Sequence, residues 1–308
     1  ITGWPGGKPQ AIIPHHPERS EPYPKTSVIF SPHPDDDIIS MGGTFMRLQD
    51  QGHDVHVVYQ TSGNIAVTDE FVTRFLDFAV GFEDMFGINN DKSNTILKSA
   101  ETFLLSKQLN EMDTPEIRAI KGLIRRCEAN ATCKYVGIPA GNRHFQNLPF
   151  YETGTIEKKP MSEKDIELTV ALLREIKPQQ VFCAGDLADP HGTHKVCLDI
   201  VQESIRRIKT EGDKWLNNCW VWLYKGAWQE WEMDEIEMAV PMSPDQVIKK
   251  RNGIFIHQSQ KDMVPFQGTD AREFWQRAEE RNAHTADLYA VLGMTKYAAM
   301  EAFVRWHF

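Results

Sequence analysis

Positions 27–61 constrain the fold of this chain more than any other stretch. The run SVIF (27–30) is short, apolar and β-branched, which reads as a fully buried strand. It leads into SPHPDDD (31–37), after which Ile38, Met41, Phe45 and Leu48 recur at helical spacing until Gly52. VHVVYQT (55–61) reads as a second strand. Strand, helix and strand in that order make a β-α-β unit, whose two strands run parallel. A parallel sheet is buried on both faces, so helices must cover both sides of it. Gly42 and Gly43 lie inside the helix, each at a cost of about 1 kcal/mol against alanine. Close approach of the helix to the sheet would be a reason to keep them.

The alternation continues along the chain. Helices are expected over about 70–86, 92–109 and 114–131, with KYVGI (134–138) as a third strand and a loop-rich stretch over 139–161. The segment at 69–120 is long enough to act as a lid or a packing surface. SEKDIELTVALLREIK (162–177) is an amphipathic helix with Ser162 as its cap, Ile166, Val170, Leu173 and Ile176 on one face, and Pro178 as its stop. QQVFCAGD (179–186) is a strand, followed by a helix to about 207, and CWVWLYKG (219–226) is a further strand. A helix from Ser243 and Pro244 is expected to run to about Gln260, and one or two helices to fill 270–305. The expected class is α/β, a mostly parallel sheet with helices on both faces, in which ligands bind at the carboxyl ends of the strands.

The 308 residues suit one large α/β domain or two small ones. Residues 1–25 contain six prolines and little periodicity, the composition of an arm or inter-domain linker, which leaves 26–308 as the folded domain. The chain starts at Ile1 rather than Met, as a processed protein or a piece of a longer chain would, and with the linker-like arm a further domain is expected upstream. His15 and His16 fall in the arm and read as an exposed loop pair. A net charge of −9 argues against a nucleic-acid surface. No apolar stretch has transmembrane length and no signal-peptide pattern opens the chain. The five cysteines are odd in number and lack C-x-x-C spacing, and Cys183 and Cys197 fall in apolar segments. They read as small buried hydrophobes in a reducing compartment, which argues for the cytoplasm. Whether the chain forms a homo-oligomer is left open.

Chemistry concentrates at two distant segments that share one placement. SPHPDDD follows the first strand, and DPHGTH (189–194) follows the strand at 179–186, so both should open at one rim of the sheet. Between them they offer His33, Asp35, Asp36, Asp37, Asp189, His191 and His194. Two imidazoles and a carboxylate, with positions left for water, are a common catalytic metal set. His33 and Asp36 are three apart, as are His191 and His194, an interval that brings two side chains together in a turn entering a helix. The metal would take His33, Asp36 and one of the two later histidines. Asp35 is then free beside it to accept a proton from an activated water. Asp37 reads as solvated or as complementing the helix N-terminus rather than as a ligand. Asn64, after the second strand, could line the mouth of such a site or simply form a turn.

The stretch FSPHPDDDIISMGGTFMRLQDQGHDVHVVYQTSG resembles the signature of the PIG-L/LmbE family of N-acetylglucosaminyl deacetylases. That signature begins His-Pro-Asp-Asp, carries a glycine pair in the helix, as at Gly42 and Gly43, and a Thr-x-Gly after the next strand, as at Thr61 and Gly63. DPHGTH is similar to the family's second motif of two histidines three apart. IRRCEANAT resembles its Arg-x-x-Glu helix at Arg125 and Glu128, and KKRNGIFIHQSQ a late segment ending at His257 to Gln260. The resemblance covers about residues 26–260. It implies a Rossmann-like three-layer sandwich and a zinc-dependent hydrolase that removes acetyl from an N-acetylated amino sugar, N-acetylglucosamine or a derivative. His33, Asp36 and His194 would be the metal ligands, Asp35 the general base, and His191 the general acid or oxyanion stabiliser. Arg125 would contact an anionic part of the substrate, or else pair with Glu128. Another divalent metal such as Fe2+ is the alternative to zinc.

Two departures stand out. Asp37 replaces the family's usual Glu, and His191-Gly192-Thr193-His194 replaces the common His-Pro-Asp-His. Thr193 cannot hold an imidazolium by charge, and Asp189 or Asp186 would have to support His191 instead. The arm and domain together also resemble the C-terminal part of long glucosamine-6-phosphate deaminase proteins. The alternative function is therefore a non-catalytic, amino-sugar-binding or regulatory domain of such a fusion. The metal set also occurs in non-haem iron oxygenases, though these usually present it as His-x-Asp on a β-barrel.

Overall fold

The computed structural model describes residues 24–88, 90–108, 111–153, 155, 157–185, 192–227, 229–261 and 272–308. The arm, apart from its last two residues, and the positions of Asp186, Asp189 and His191 lie outside the described residues. In chain order the elements are β1 (Thr26–Ser31), α1 (Asp36–Asp50), β2 (Asp54–Tyr59), α2 (Asp69–Phe86), α3 (Asp91–Ser106), α4 (Pro115–Val136), β3 (Arg143–Phe145) and α5 (Glu163–Ile176). They continue as β4 (Gln180–Ala184), α6 (Thr193–Thr210), β5 (Trp220–Tyr224), β6 (Met238–Met242), α7 (Pro244–Ile254), α8 (Phe274–Val291) and β7 (Ala299–Trp306).

The strands form one sheet in the order β3-β2-β1-β4-β5-β7-β6. The first five are mutually parallel, and β7 runs antiparallel to both β5 and β6. The chain winds outward from β1 to β2 and β3 on one side, and from β4 to β5 on the other. The carboxyl ends of β1 and β4 therefore flank the switch point, where open α/β sheets bind their ligands. Side chains of β1 alternate as a doubly buried strand requires. Ile29 packs with Met41, Phe45 and Leu48 of α1, while Val28 and Phe30 pack with Val170 and Leu173 of α5 and Val201 and Ile205 of α6. The expected fold class holds: an α/β sandwich with helices on both faces.

Three expectations need correction. KYVGI is not a strand; its first three residues are the last turn of α4, and Gly137, at φ +98°, caps that helix. The apolar face of Ala129, Cys133 and Val136 carries the helical spacing through the segment. The strand instead lies at Arg143–Phe145, too short and polar to show a pattern. The region expected to be all helix at 270–305 contains α8 and then β7, whose central Glu301 breaks an apolar strand pattern. β6 went unseen because Pro241 argues against a strand, and it is tolerated here because β6 is the sheet edge. α7 also ends at Ile254 rather than near Gln260.

Glu301 explains both the interruption and a kink in α1. At Met41 the backbone leaves helical values (φ −137°, ψ 29°). The N–H groups of Gly43 and Thr44 donate to the Glu301 carboxylate at 2.9 and 2.6 Å, and Lys250 of α7 neutralises it at 2.7 Å. A Cβ on Gly43 would come within 2.1 Å of Met242 Sδ and 3.3 Å of Glu301 Oε1. The glycine is thus kept for contact with the sheet. Lys250 and Glu301 are buried, so removing one strands the other's charge in the core. Glu301→Ala is expected to lower unfolding stability by about 3–5 kcal/mol, measured by denaturant titration.

The segment at 69–106 forms a hairpin of α2 and α3 packed on α4 through Val72, Leu76, Ala100 and Ile117. The outer face of α2 carries Phe78, Phe82 and Phe86 in a ladder that remains exposed.

Candidate metal centre

SPHPDDD forms the turn between β1 and α1. Ser31 Oγ donates to the His33 carbonyl at 2.6 Å and accepts the Asp37 N–H at 3.0 Å, while the His33 N–H donates to Asp36 Oδ2 at 2.8 Å. These bonds fold His33 and Asp36 back toward one another. The adjacent, parallel β4 delivers the first turn of α6, where Gly192, at φ +66°, lets the chain enter the helix and puts His194 on the same rim.

The three side chains meet there. Asp36 Oδ2 lies 3.2 Å from His33 Nδ1 and 3.2 Å from His194 Nε2, and the two nitrogens are 3.3 Å apart. A tetrahedral centre with bonds of about 2.0–2.1 Å has ligand-to-ligand edges of about 3.3 Å. The three near-equal edges are those a shared cation requires; the same contacts are also met as hydrogen bonds when one ring nitrogen donates and the other accepts. Among the described residues this is the one group of three His, Cys, Asp or Glu side chains with metal-holding geometry.

The three consecutive carboxylates have three different environments. Burial acts to raise the Asp36 pKa, but His194 and His33 outweigh it and hold the carboxyl well below its usual range, in the ionised form a cation needs. Asp35 faces Arg125, with Oδ1 3.1 Å from Nη2, yet its burial prevails and raises its pKa. Asp37 stands apart from the triangle. It is fully buried, which excludes the solvated alternative, and it sits in the first turn of α1, the other place expected for it; burial pushes its pKa up to about 7, although Tyr59 Oη donates to it at 3.1 Å.

Arg125 is also buried, with its Nε and Nη1 lacking a hydrogen-bond partner among the described residues. No ion pair joins it to Glu128, which instead accepts from the Ser259 N–H at 2.7 Å and Oγ at 2.6 Å. That contact explains the late HQSQ segment. His257 shares a hydrogen bond with Thr132 at 2.9 Å, and Gln260 donates to the Ala66 carbonyl, so the segment pins α4 behind Arg125. Gly63 makes the approach possible: at φ +64°, a Cβ would come within 2.8 Å of Pro34 Cδ and 2.9 Å of Arg125 Nε.

Asn64 does not join the triangle. It is buried beside it, donating through Nδ2 to Glu152 Oε2 at 3.2 Å. Sequence reasoning missed Glu152 and Tyr151, whose ring packs edge-on against His33 at 6.0 Å between centroids. Neither sits in a recognisable motif. The two remaining expected site residues, Asp189 and His191, lie outside the described residues.

A β1–β4 switch point carrying a His/Asp/His triangle at its rim is the arrangement expected of a metal-assisted hydrolase. Residues 28–205 match the model of the PIG-L family, GlcNAc-PI de-N-acetylase, and the chain belongs to that family. An N-deacetylase activity is what membership supports. Over 309 aligned positions the chain is 57% identical to a glucosamine-6-phosphate deaminase-like protein of Bacteroides thetaiotaomicron, covering 99% of this chain and 46% of that protein. The chain thus spans about half the length of the curated relative it matches. Among solved structures it is similar to the N,N'-diacetylchitobiose deacetylase of Pyrococcus horikoshii, with TM-score 0.56, 19% identity, and coverage of 92% of this chain and 84% of that one. It is similar to the same degree to GalB, the 4-carboxy-2-hydroxymuconate hydratase of Pseudomonas putida, with TM-score 0.55, 17% identity, and coverage of 92% and 96%. These likenesses establish the fold. That a hydratase shares it leaves the reaction to be argued from the site.

Proposed function

We propose that the chain is a zinc-dependent hydrolase that removes the acetyl group from an N-acetylated amino sugar, releasing acetate and a free amine. The observation that carries this reading is the His33, Asp36, His194 triangle with Asp35 beside it, in a chain of a de-N-acetylase family. His33, Asp36 and His194 would hold the cation, with Fe2+ the main alternative to zinc for this donor set. When bound, the cation supplies a Lewis acid for the acetyl carbonyl and a water acidified to near neutrality. Asp35 accepts the proton of that water as it attacks and returns it to the leaving nitrogen. Arg125 fixes the Asp35 carboxylate through Nη2, and the family resemblance assigns it a contact to an anionic part of the substrate. Asn64 lines the sugar side. His191 is assigned as the acid or oxyanion stabiliser, with Asp189 in support.

Residues 26–308 act as one deacetylase domain in this reading, and residues 1–25 as an arm leading from an upstream domain. The length of the Bacteroides relative supports that organisation. All five cysteines are free thiols, which supports a reducing, cytoplasmic setting, and among the described residues no helix is long and apolar enough to cross a membrane. The rival reading, a non-catalytic regulatory domain, rests on the altered His-Gly-Thr-His motif. An acetate-release assay on N-acetylglucosamine and its derivatives separates the two. Metal-loaded protein is expected to release one acetate per amine, to lose activity in chelator and to recover it with zinc. A metal-loaded protein that binds the sugars without releasing acetate would establish the regulatory reading instead.

A further inference from the structure

Beside the triangle opens a cavity of about 430 Å3, within the range that receives a small organic ligand. Pro34, between His33 and Asp35, forms part of its wall, so the cavity begins at the metal motif itself. We propose that it receives a phosphate group carried by the amino-sugar substrate, bound by Arg118 and Arg126 of α4. This rests on the deacetylase reading and names the substrate class more narrowly.

Four observations support it. First, both arginines line the cavity, and among the described residues neither forms an ion pair with a carboxylate. In a chain with a net charge of −9, the two guanidinium groups outnumber the one carboxylate, Glu152, that lines this cavity. Second, both are oriented but not consumed. Arg118 donates through Nη1 to the Thr153 carbonyl at 3.3 Å, and the Arg126 guanidinium lies over the Phe145 ring at 4.3 Å from its centroid. A guanidinium held over a ring face still has N–H donors to offer an anion, and a planar fork suits phosphate oxygens. Third, the carboxylate on the wall is already engaged. Glu152 accepts from the Ser62 N–H at 3.1 Å and from Asn64 Nδ2 at 3.2 Å, and it forms an ion pair with neither arginine among the described residues.

Fourth, Gly122 lies midway between the arginines on the same helix face, at i+4 and i−4. Each guanidinium has about 6 Å of axial distance to cover to meet the other over it. Glycine inside a helix costs about 1 kcal/mol against alanine, and at this position its φ is not the reason, since it carries no positive value. A Cβ here would meet Ser62 at 3.5 Å, an ordinary contact, so packing does not require the glycine; its effect is to leave no side chain between the two arginines. A single carboxylate would occupy one guanidinium fork; a phosphate monoester, with three oxygens and nearly two charges, has enough acceptors for two.

The test compares kcat/KM for N-acetylglucosamine 6-phosphate and N-acetylglucosamine, using metal-loaded wild type, Arg118→Gln and Arg126→Gln. The phosphorylated substrate is expected to be favoured about 10-fold or more, and each variant to cut that ratio about 10-fold, chiefly through KM. Equal kcat/KM for the two substrates, or a ratio unchanged in both variants, would overturn the proposal. Calorimetry with glucosamine 6-phosphate and glucosamine reads the cavity without turnover. If neither acetylated sugar releases acetate, the deacetylase reading fails by itself. Tighter binding of the phosphorylated amine, lost in Arg126→Gln, would still uphold the anion site, and equal binding of the two amines would overturn it.

Discussion

Replacing Asp35 by asparagine is expected to lower kcat for deacetylation by about 10²–10⁴-fold, the range for losing a general acid–base group, while the cation stays bound. The expectation follows from where the carboxylate stands. Asp35 is next to Asp36 in sequence but is not one of the three side chains of the triangle, and its Oδ1 lies 3.1 Å from Arg125 Nη2. Asparagine keeps the size and one acceptor oxygen, so Arg125 retains a neutral partner and the turn into α1 is preserved. What disappears is the capacity to take a proton. KM should move little and zinc content should remain at one per chain. A variant with wild-type kcat would remove Asp35 from the chemistry. A variant that lost its zinc would make Asp35 a support of the ligand turn.

His194→Ala is expected to act in the opposite order, losing the cation first and activity as a consequence. Removing merely an outer-shell partner of a metal ligand typically costs 10–100-fold in affinity, and removing a ligand should exceed about 100-fold. The fold should survive, because His194 lies in the first turn of α6, outside the apolar contacts of Leu198, Val201 and Ile205. Asp36 would then keep only His33 of its two imidazole neighbours. Metal analysis after dialysis, beside a thermal melt, checks both points. Retention of tightly bound zinc by a folded His194→Ala protein would show that the cation sits elsewhere.

The contrast between these variants mirrors what the sequence could reveal. The β1–α1–β2 unit was legible because its apolar periods are clean. Once the strands at 27–30 and 179–186 are known to be parallel, their carboxyl ends must share a rim, so His33 and Asp36 could be brought together with the pair His191 and His194 without coordinates. Spacing alone could not choose between His191 and His194. It also left the partner of Arg125 open, because three-apart positions on one helix suggested Glu128 while the actual contact, Asp35, comes from a different element. Glu128 pairs with Ser259 instead, and neither residue announces the other in sequence.

The less legible parts have physical causes of their own. β7 carries Glu301 where a buried strand should be apolar, and that carboxylate is satisfied by Lys250 and by N–H groups at a kink in α1. Three elements must be in place before the pattern makes sense. β6 contains a proline that only an edge position excuses. Arg118, Gly122 and Arg126 share one face of α4, but their common cavity exists only once Phe145 and Glu152 close its other walls.

X-ray absorption at the zinc edge of the stoichiometrically loaded protein tests the centre most directly. Wild type should show a light-atom shell of nitrogen and oxygen at about 2.0–2.1 Å with scattering from two imidazoles, falling to one imidazole in His194→Ala loaded with excess zinc. A sulfur shell at about 2.3 Å, or an imidazole count unchanged by the substitution, would contradict a cation held between the ends of β1 and β4.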